Sequence, residues 1–230
     1  MRRLDYSRYA TSIRWLVLIL ALVSGGCAYA QSTECAQPDG DHIIKALKLD
    51  VSYVSTEQLA ITEYKGYKLQ WISVSWSGPV GGELVVMDCN GHLLAGIEAG
   101  SVDSGKEVSI GGYPYPVLRT RAQTLSGTDQ AHAYTDALFA FNGKKIVSLF
   151  SQESEIYGFQ LCSDATIENY DIAASADWHT ITVIGIRKRQ HGKIVNGECS
   201  EENWVTKTVK LPTKHFCWNG KRYVRSKAAC

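Results

Sequence analysis

The chain of 230 residues carries 24 lysines and arginines against 23 acidic residues, and 45% of it is hydrophobic. This near-neutral balance argues against nucleic acid as a partner, and the length suffices for one domain with its own core. The charge is unevenly distributed. Residues 31–185 carry 9 basic and 19 acidic side chains, whereas residues 186–230 carry 11 basic and 3 acidic ones.

The N-terminus has the pattern of a secretory signal peptide, with four arginines in residues 1–14, the apolar run "WLVLILALV" and then "SGGCAYA". Cleavage after Ala30 is expected, and lipid attachment at Cys27 is the alternative. Nine apolar residues are too few for a helix to cross a bilayer core of about 30 Å, so no transmembrane segment is expected in the mature chain. Residues 1–30 are therefore predicted as a signal peptide and 31–230 as a single exported β-rich domain, periplasmic or extracellular, with an acidic part (31–185) and a basic C-terminal part (186–230).

The cysteine count agrees with export. Six cysteines remain after the signal segment, and an even number in an exported protein predicts three disulfides. Sequence alone does not select among the 15 possible pairings of six cysteines, although Cys217 and Cys230 flank the last hairpin and are expected to pair. The six predicted disulfide cysteines are Cys35, Cys89, Cys162, Cys199, Cys217 and Cys230.

Residues 41–50, "DHIIKALKLD", contain the one clear helical pattern, with Asp41 as the expected cap. Most of the remaining chain alternates with period two, as strands do. The stretch 67–76 changes phase, which predicts either a bulge or a strand buried on both faces. Residues 100–116 and 126–136 are predicted as loop or turn. Strands are predicted at 117–125, 155–162, 179–189 and 203–211.

Three hairpins share an Asn-Gly turn, in "VVMDCNGHLLAGI", "ALFAFNGKKIVSLF" and "FCWNGKRYV". Asn-Gly is typical of the two-residue type I′ turn, in which both residues take positive φ. Aligned on this dipeptide, each hairpin has one apolar face, formed in part by Leu94, Ile146 and Tyr223. A basic residue or histidine follows the glycine at the solvent end, as His92, Lys144 and Lys221. Packing on a core explains the repeat.

The three hairpins loosely resemble those of exported bacterial proteins with FG-GAP-like or propeller-like repeats, in which each repeat often carries an acidic calcium loop. Here the turns "DCNG", "AFNG" and "CWNG" contain one acid among them, and the spacings of 52 and 77 residues are too uneven for a regular repeat. The resemblance covers short segments only, and the chain is not assigned to that family. No metal site and no cofactor are predicted.

Established catalytic motifs such as G-x-S-x-G and H-E-x-x-H do not occur in the mature chain. The densest polar stretch, "SGTDQAHAYTD", supplies candidate catalytic residues of the types used in nucleophilic catalysis, namely Ser126, Asp129, His132 and Asp136. Asp177 and His179 flank Trp178 and are expected to form a hydrogen-bonded pair at the start of a strand.

Binding residues are predicted in two places. Tyr113 and Tyr115, in "GGYPYP", are the tyrosines most expected to be exposed, and exposed aromatic side chains often mark interfaces; the alternative is that they cap the core. Trp71, Trp76 and Trp218 are expected to be buried. The basic C-terminal part, including Lys221, Arg222 and Arg225, suits an anionic envelope component or another exported protein. The same charges also fit two other interpretations, mutual neutralisation of the two halves or protection of an edge strand.

The sequence thus predicts a mostly β protein, an antiparallel sandwich or incomplete barrel built from hairpins, with one short N-terminal helix and disulfide bonds. The expected function is a non-enzymatic binding or structural role at the cell envelope. Two alternatives stay open: an exported hydrolase that uses Ser126 and His132 with distant acids, and an exported protein inhibitor with a protruding disulfide-tethered loop.

Overall fold

Antiparallel strands make up most of the residues that the structure describes. The computed structural model describes residues 35, 39–51, 54–76, 81–126, 132–158, 164–191, 194–195, 198–199 and 205–230; the predicted signal peptide lies outside them. Within these ranges one helix, α1 (Gly40–Leu47), precedes the strands. The strands are β1 (Ser55–Tyr64), β2 (Tyr67–Trp76), β3 (Gly81–Asp88), β4 (Leu93–Glu98), β5 (Ser101–Val108), β6 (Val117–Ser126), β7 (His132–Phe141), β8 (Ile146–Gly158), β9 (Asp164–Ala174), β10 (Thr180–His191), β11 (Ile194–Val195), β12 (Glu198–Cys199), β13 (Val205–Lys210), β14 (Lys214–Trp218) and β15 (Tyr223–Ser226).

Two sheets pack face to face. The first has the order β1-β2-β3-β4, and the second runs β15-β14-β10-β9-β8-β7-β6-β5, with β13 also paired to β10. β11 and β12 pair only with each other. The core between the two large sheets includes Trp71 and Leu84 from the first sheet and Leu118, Phe139 and Phe141 from the second. The predicted antiparallel, mostly β, sandwich-like fold is confirmed.

Helix α1 covers the outer face of the first sheet. Its Ile43 is fully buried and belongs to a cluster with Ile72 and Val85. The helix begins one residue earlier than predicted, so the cap is Asp39, whose side chain accepts a hydrogen bond from the Asp41 backbone N–H at 3.2 Å. Because Gly40 is already helical, Asp41 lies in the first turn, and the prediction that Asp41 caps the helix is wrong.

β2 explains the phase change in the sequence. All residues from Leu69 to Val74 are buried, because the second sheet covers one face of β2 and α1 covers the other. Trp71 therefore packs in the inter-sheet cluster, while Ile72 and Val74 pack with the helix. Burial on both faces is confirmed, and the bulge lies in the neighbouring β1, between Gln58 and Ala60.

Several stretches are strands where none was predicted, β1 at residues 55–64 among them. Residues 101–108 form β5, which pairs with β6 along its length, and residues 132–136 belong to β7. Residues 164–174 form β9, for which no element was predicted. β5 is poor in apolar residues, and its Gly105 lets β1 approach so closely that an added Cβ would lie 2.8 Å from the Leu59 Cβ. Such strands are held by their neighbours, which a local pattern does not reveal.

The Asn-Gly turns differ from the predicted type I′ geometry. Gly143 has φ +88°, but Asn142 does not share the positive φ, and its side chain accepts hydrogen bonds from the Lys144 and Lys145 backbone N–H groups at 3.1 and 3.0 Å. Four residues therefore join β7 to β8, since Phe141 pairs with Ile146. Asn219 forms the same arrangement in the last hairpin.

The hairpin between β1 and β2 has the positive φ values of a two-residue type I′ turn, +53° at Lys65 and +80° at Gly66. In the first Asn-Gly hairpin, Asp88 is the residue that accepts hydrogen bonds from the turn, and a register shift pairs Met87 with Leu93. Leu94 is consequently 39% exposed, contrary to the predicted apolar face. Ile146 and Tyr223 are buried as predicted.

Glu83 and Glu98 stand directly opposite each other on β3 and β4. Burial, and then the charge of Glu98, raise the pKa of Glu83. Because the pKa of Glu83 is higher in the folded state than in the unfolded chain, the protonated carboxyl favours the folded state at low pH. This contribution to stability is lost as the pH rises through the pKa of the folded state. Glu83→Gln is therefore expected to raise the free energy of unfolding at neutral pH by about 0.2–1 kcal/mol, and to lose this gain below about pH 4.

Urea unfolding at both pH values measures this difference. Glu57→Gln is the matched control, because Glu57 is exposed and stands opposite Ser73 rather than opposite an acid. An equal gain in the control, or a gain in Glu83→Gln that persists in acid, would contradict the role given to the Glu83–Glu98 pair.

Candidate functional site

Strand β10 organises one edge of the larger sheet. On one side it pairs with β9 from Ile181 to His191. On the other side, residues 180–183 pair with β14 and residues 186–191 pair with β13. β13 and the β14–β15 hairpin therefore lie one after the other along the same edge of β10. The basic C-terminal part of the sequence is thereby gathered at one edge of the fold.

Most cations of this edge are exposed and have no carboxylate partner among the described residues. Antiparallel pairing brings Lys188 and Arg189 of β10 beside Lys207 and Lys210 of β13, and the β14–β15 hairpin adds three more cations. We call these exposed side chains the cationic edge: Lys188, Arg189, Lys207, Lys210, Lys221, Arg222 and Arg225. The predicted binding residues Lys221, Arg222 and Arg225 belong to it.

Two further cations of this region are engaged with the rest of the sheet. Arg187 donates from Nε to Glu168 Oε1 at 2.5 Å. Lys214 Nζ lies 4.9 Å from the centre of the Tyr170 ring and donates to Gln152 Oε1 at 3.3 Å. Arg187–Glu168 is the one described salt bridge between the basic and acidic parts of the chain. Glu168 of the acidic part thus attracts both Arg187 and Lys214, whereas the cations of the cationic edge have no described carboxylate partner.

Glu168 also contacts Tyr170, whose hydroxyl donates to Glu168 Oε2 at 2.5 Å. Burial, and then this hydrogen bond to a carboxylate, raise the pKa of Tyr170 to about 12. Burial opposes ionisation of Glu168, but the hydrogen bonds from Tyr170 and Arg187 outweigh it and lower the pKa of Glu168. The carboxylate is therefore charged at neutral pH and holds Arg187 against β9.

Apolar side chains are exposed among the cations. Ile184 is 47% exposed, Ile186 38%, Val209 41% and Val224 37%. Ile186 stands opposite Lys210, and Val209 stands opposite Arg187, so apolar and cationic residues alternate across the β10–β13 pair. Successive residues of a strand point to opposite faces of the sheet, so Ile184 and Ile186 share one face with Lys188 and Lys210, while Val209 shares the other with Arg189 and Lys207. Each face therefore provides both electrostatic attraction for anions and apolar area to bury.

The tyrosine pair does not form an exposed platform. Tyr113 and Tyr115 are both half-buried. Tyr113 packs edge-on against Trp218, with ring centroids 5.1 Å apart, and Tyr115 lies 5.9 Å from Tyr64. The segment that carries them is tied down where the Gly111 backbone N–H donates to Asp177 O at 3.0 Å. Their packing agrees with the alternative expectation, that they cap the core, because the loop folds back onto it.

Of the three tryptophans predicted to be buried, Trp71 is fully buried. Trp76 and Trp218 are half-buried and pack against the edges of two core clusters.

The candidate catalytic residues fall into two separate contacts. His132 Nε2 lies 3.3 Å from Glu155 Oε1, and its ring stacks on Tyr157. Asp136 instead accepts a hydrogen bond from Arg119 at 3.1 Å. Ser126 stands directly opposite His132 in the β6–β7 register, but its side chain is outside the described part of the chain, as is Asp129. The acid beside His132 is thus Glu155, from the next strand, which the sequence did not reveal.

A groove of about 630 Å³ adjoins these residues and is lined by Lys106, Arg119, Arg121, Asp136 and Glu155, among others. Its arginines are already paired, since Arg119 contacts Asp136 and Arg121 donates to Glu155 at 2.8 Å. The charges of the groove therefore compensate one another, in contrast to those of the cationic edge.

Asp177 and His179 form the expected pair just before β10. Asp177 accepts a hydrogen bond from the His179 backbone N–H at 3.1 Å, and the two side chains lie 3.4 Å apart. The hydroxyl of Ser175 lowers the pKa of Asp177 by donating to its carboxylate. Trp178 between them has φ +59°, so the two residues flank a turn that leads into β10. The described residues contain no group of three or more potential metal ligands.

Two of the predicted disulfides are described. Cys217 is bonded to Cys230, as expected, with 5.8 Å between their Cα atoms, and Cys35 is bonded to Cys89. Cys162 and the side chain of Cys199 lie outside the described part, where the third predicted bridge stays a prediction. No helix within the described ranges combines the length and apolar character needed to span a membrane.

Comparison of the chain with protein-family models, with curated proteins and with solved structures finds no match.

Proposed function

We propose that the mature chain is an exported protein that binds the anionic lipid surface of a cell envelope, without enzymatic activity, through its cationic edge. The observation that carries this proposal is the collection of uncompensated cations along β10, β13 and the β14–β15 hairpin. The signal-like N-terminus and the disulfides support export.

Lipid is the anionic partner that suits the composition of the edge. A lysine or arginine near an anionic membrane surface contributes about 1 kcal/mol of attraction. Binding to such a surface also grows with the apolar area that it buries, and Ile184 and Ile186 supply exposed apolar area on the face that also carries Lys188 and Lys210. A soluble acidic polymer would use the charges but leave these side chains in water.

Protection of an edge strand is the competing explanation for the lysines. Charges on an edge prevent it from pairing with another sheet, and among the described strands β13 pairs with β10 alone. Protection requires no anionic partner, so a binding experiment separates the two explanations.

Co-sedimentation of the oxidised mature protein with lipid vesicles provides that experiment. We expect binding to vesicles that contain phosphatidylglycerol and none to pure phosphatidylcholine. Binding should fall between 0.1 and 1 M salt, because the Debye length shrinks from about 10 Å to about 3 Å. Equal binding to both lipids, or retention in high salt, would contradict the proposal. Binding to a soluble polyanion but not to vesicles would exclude lipid as the partner.

An exported hydrolase is the second candidate function. The observation in its favour is that Ser126 stands opposite His132, which in turn lies 3.3 Å from Glu155. A serine, a histidine and an orienting acid are the components of nucleophilic catalysis. If this function is right, a fluorophosphonate probe labels Ser126, and Glu155→Gln lowers the labelling rate. Absence of labelling on the folded protein would exclude it.

An exported inhibitor stays an untested prediction. It requires a disulfide-tethered loop that protrudes from the sheet, and the segment closed by Cys217–Cys230 does not supply one, because it contains β15, which pairs with β14.

A further inference from the structure

A pocket of about 410 Å³ lies between the two sheets, and its lining contains none of the residues of the cationic edge. It is bounded on one side by β6, β7 and β8 and on the other by the end of β4 and the link to β5. Its volume falls within the range of small-molecule sites, about 300–1,000 Å³. Five hydroxyl side chains line it, from Thr120, Thr124, Thr135, Ser148 and Ser151.

Thr120 lies at the floor of the pocket with an unsatisfied hydroxyl. Thr120 is 2% exposed, and its Oγ1 has no hydrogen-bond partner among the described residues. Alternation along β6 places Thr120 on the same side as Leu118, which packs in the inter-sheet core. The hydroxyl is therefore directed between the sheets. A buried hydroxyl without a partner is destabilising, and a ligand that hydrogen-bonds to it would recover that cost.

Small residues create the space. Where the inter-sheet core is filled, large side chains such as Trp71 and Phe141 meet. Around Thr120 the lining instead includes the small side chains of Ala99, Ala122 and Ala137. Ser148 and Ser151 are exposed, so the pocket opens to solvent beside β8 while its floor is buried.

The charge of the lining restricts the ligand. Among the lining residues there is no lysine or arginine, and the single ionisable side chain is the exposed Glu98. An anionic ligand would find no counter-charge there. Phe139 and the alanines offer an apolar surface, while the serines and threonines offer hydrogen bonds. A molecule with both an apolar C–H face and several hydroxyls satisfies both requirements.

We propose that this pocket binds a neutral sugar ring, with a sugar hydroxyl on Thr120 Oγ1. The site is independent of the cationic edge, because it has a different lining and favours an uncharged ligand, whereas the cationic edge favours anions. The two proposals can therefore fail separately.

Titration of the isotope-labelled, oxidised protein with D-glucose, D-galactose, D-mannose and N-acetyl-D-glucosamine, followed by amide NMR shifts, tests the proposal. Sugar up to about 100 mM detects dissociation constants in the millimolar range. We expect saturable shifts at the amides of Ala99, Thr120 and Ala137 with at least one of the four sugars, and weaker binding of D-glucuronate. Absence of saturable shifts with all four sugars, or equal binding of glucuronate, would overturn the assignment.

Two substitutions test the location. Thr120→Val keeps the shape of the side chain but removes the hydroxyl, and is expected to weaken binding about tenfold. Ala137→Leu fills the pocket and is expected to abolish binding. Thr208→Val, on the exposed β13, is the matched control and should bind as the unmodified protein does. Unchanged binding in Thr120→Val would overturn the proposal even if Ala137→Leu does not fold.

Discussion

Replacing Lys188, Arg189, Lys207 and Lys210 together by glutamine is expected to lower the affinity for vesicles containing phosphatidylglycerol by a factor of roughly 1,000. Each cation near an anionic membrane contributes about 1 kcal/mol, and about 4 kcal/mol corresponds to this factor. All four side chains are exposed and have no described carboxylate partner. Their removal should therefore leave the free energy of unfolding within about 0.5 kcal/mol of the original. Vesicle co-sedimentation and urea unfolding measure the two quantities.

A matched variant separates the position of the charges from their number. Lys45, Lys106, Lys144 and Lys145 are exposed cations outside the cationic edge, and replacing these four by glutamine changes the net charge equally. We expect this control to retain most of the affinity for the vesicles. If both variants lose affinity to the same extent, overall charge and not the cationic edge determines binding.

The largest loss of stability is expected from Trp71→Ala. Trp71 is fully buried between the sheets, and its indole Nε1–H donates to Thr62 Oγ1 at 3.0 Å. Truncation of a buried tryptophan costs about 3–5 kcal/mol. Since domains are stable by about 5–15 kcal/mol in total, this variant should unfold at a much lower urea concentration, as followed by far-ultraviolet circular dichroism.

Two companion variants identify the cause. Trp71→Phe keeps an aromatic ring but loses the indole donor, so a smaller loss of about 1–3 kcal/mol is expected. Trp76→Ala removes a half-buried side chain at the edge of the cluster around α1 and should cost less than Trp71→Ala. A loss below about 1 kcal/mol for Trp71→Ala would show that Trp71 does not lie in the core.

Elements with strong local signals could be predicted from the sequence. The hairpin around Asn142-Gly143 combines a turn dipeptide with alternating apolar residues, and both its strands are present. The apolar stripe of Ile43, Ile44 and Leu47 was also sufficient to predict a helix, although this helix begins at Gly40, one residue before the predicted segment. In these segments the buried face is formed by residues that are close together along the chain, so the local pattern reveals it.

Features that depend on distant neighbours were missed. β5 and β9 are polar strands held by pairing on the sheet, so their own residues give little strand signal. Glu155 became the partner of His132 through the β7–β8 register, across 23 residues. Likewise, the sequence showed a basic C-terminal part, but only the pairing of β10 with both β13 and β14 places its cations along one edge.

Lysine footprinting of the unmodified protein tests the central claim most directly. The protein is acetylated with and without phosphatidylglycerol vesicles, and the reactivity of each lysine is read by mass spectrometry. Binding through the cationic edge predicts that the vesicles protect Lys207, Lys210 and Lys221 and leave Lys45 and Lys144 as reactive as before. Protection that is uniform, or that falls on Lys45 and Lys144 instead, would contradict the assignment of this edge as the membrane-binding surface.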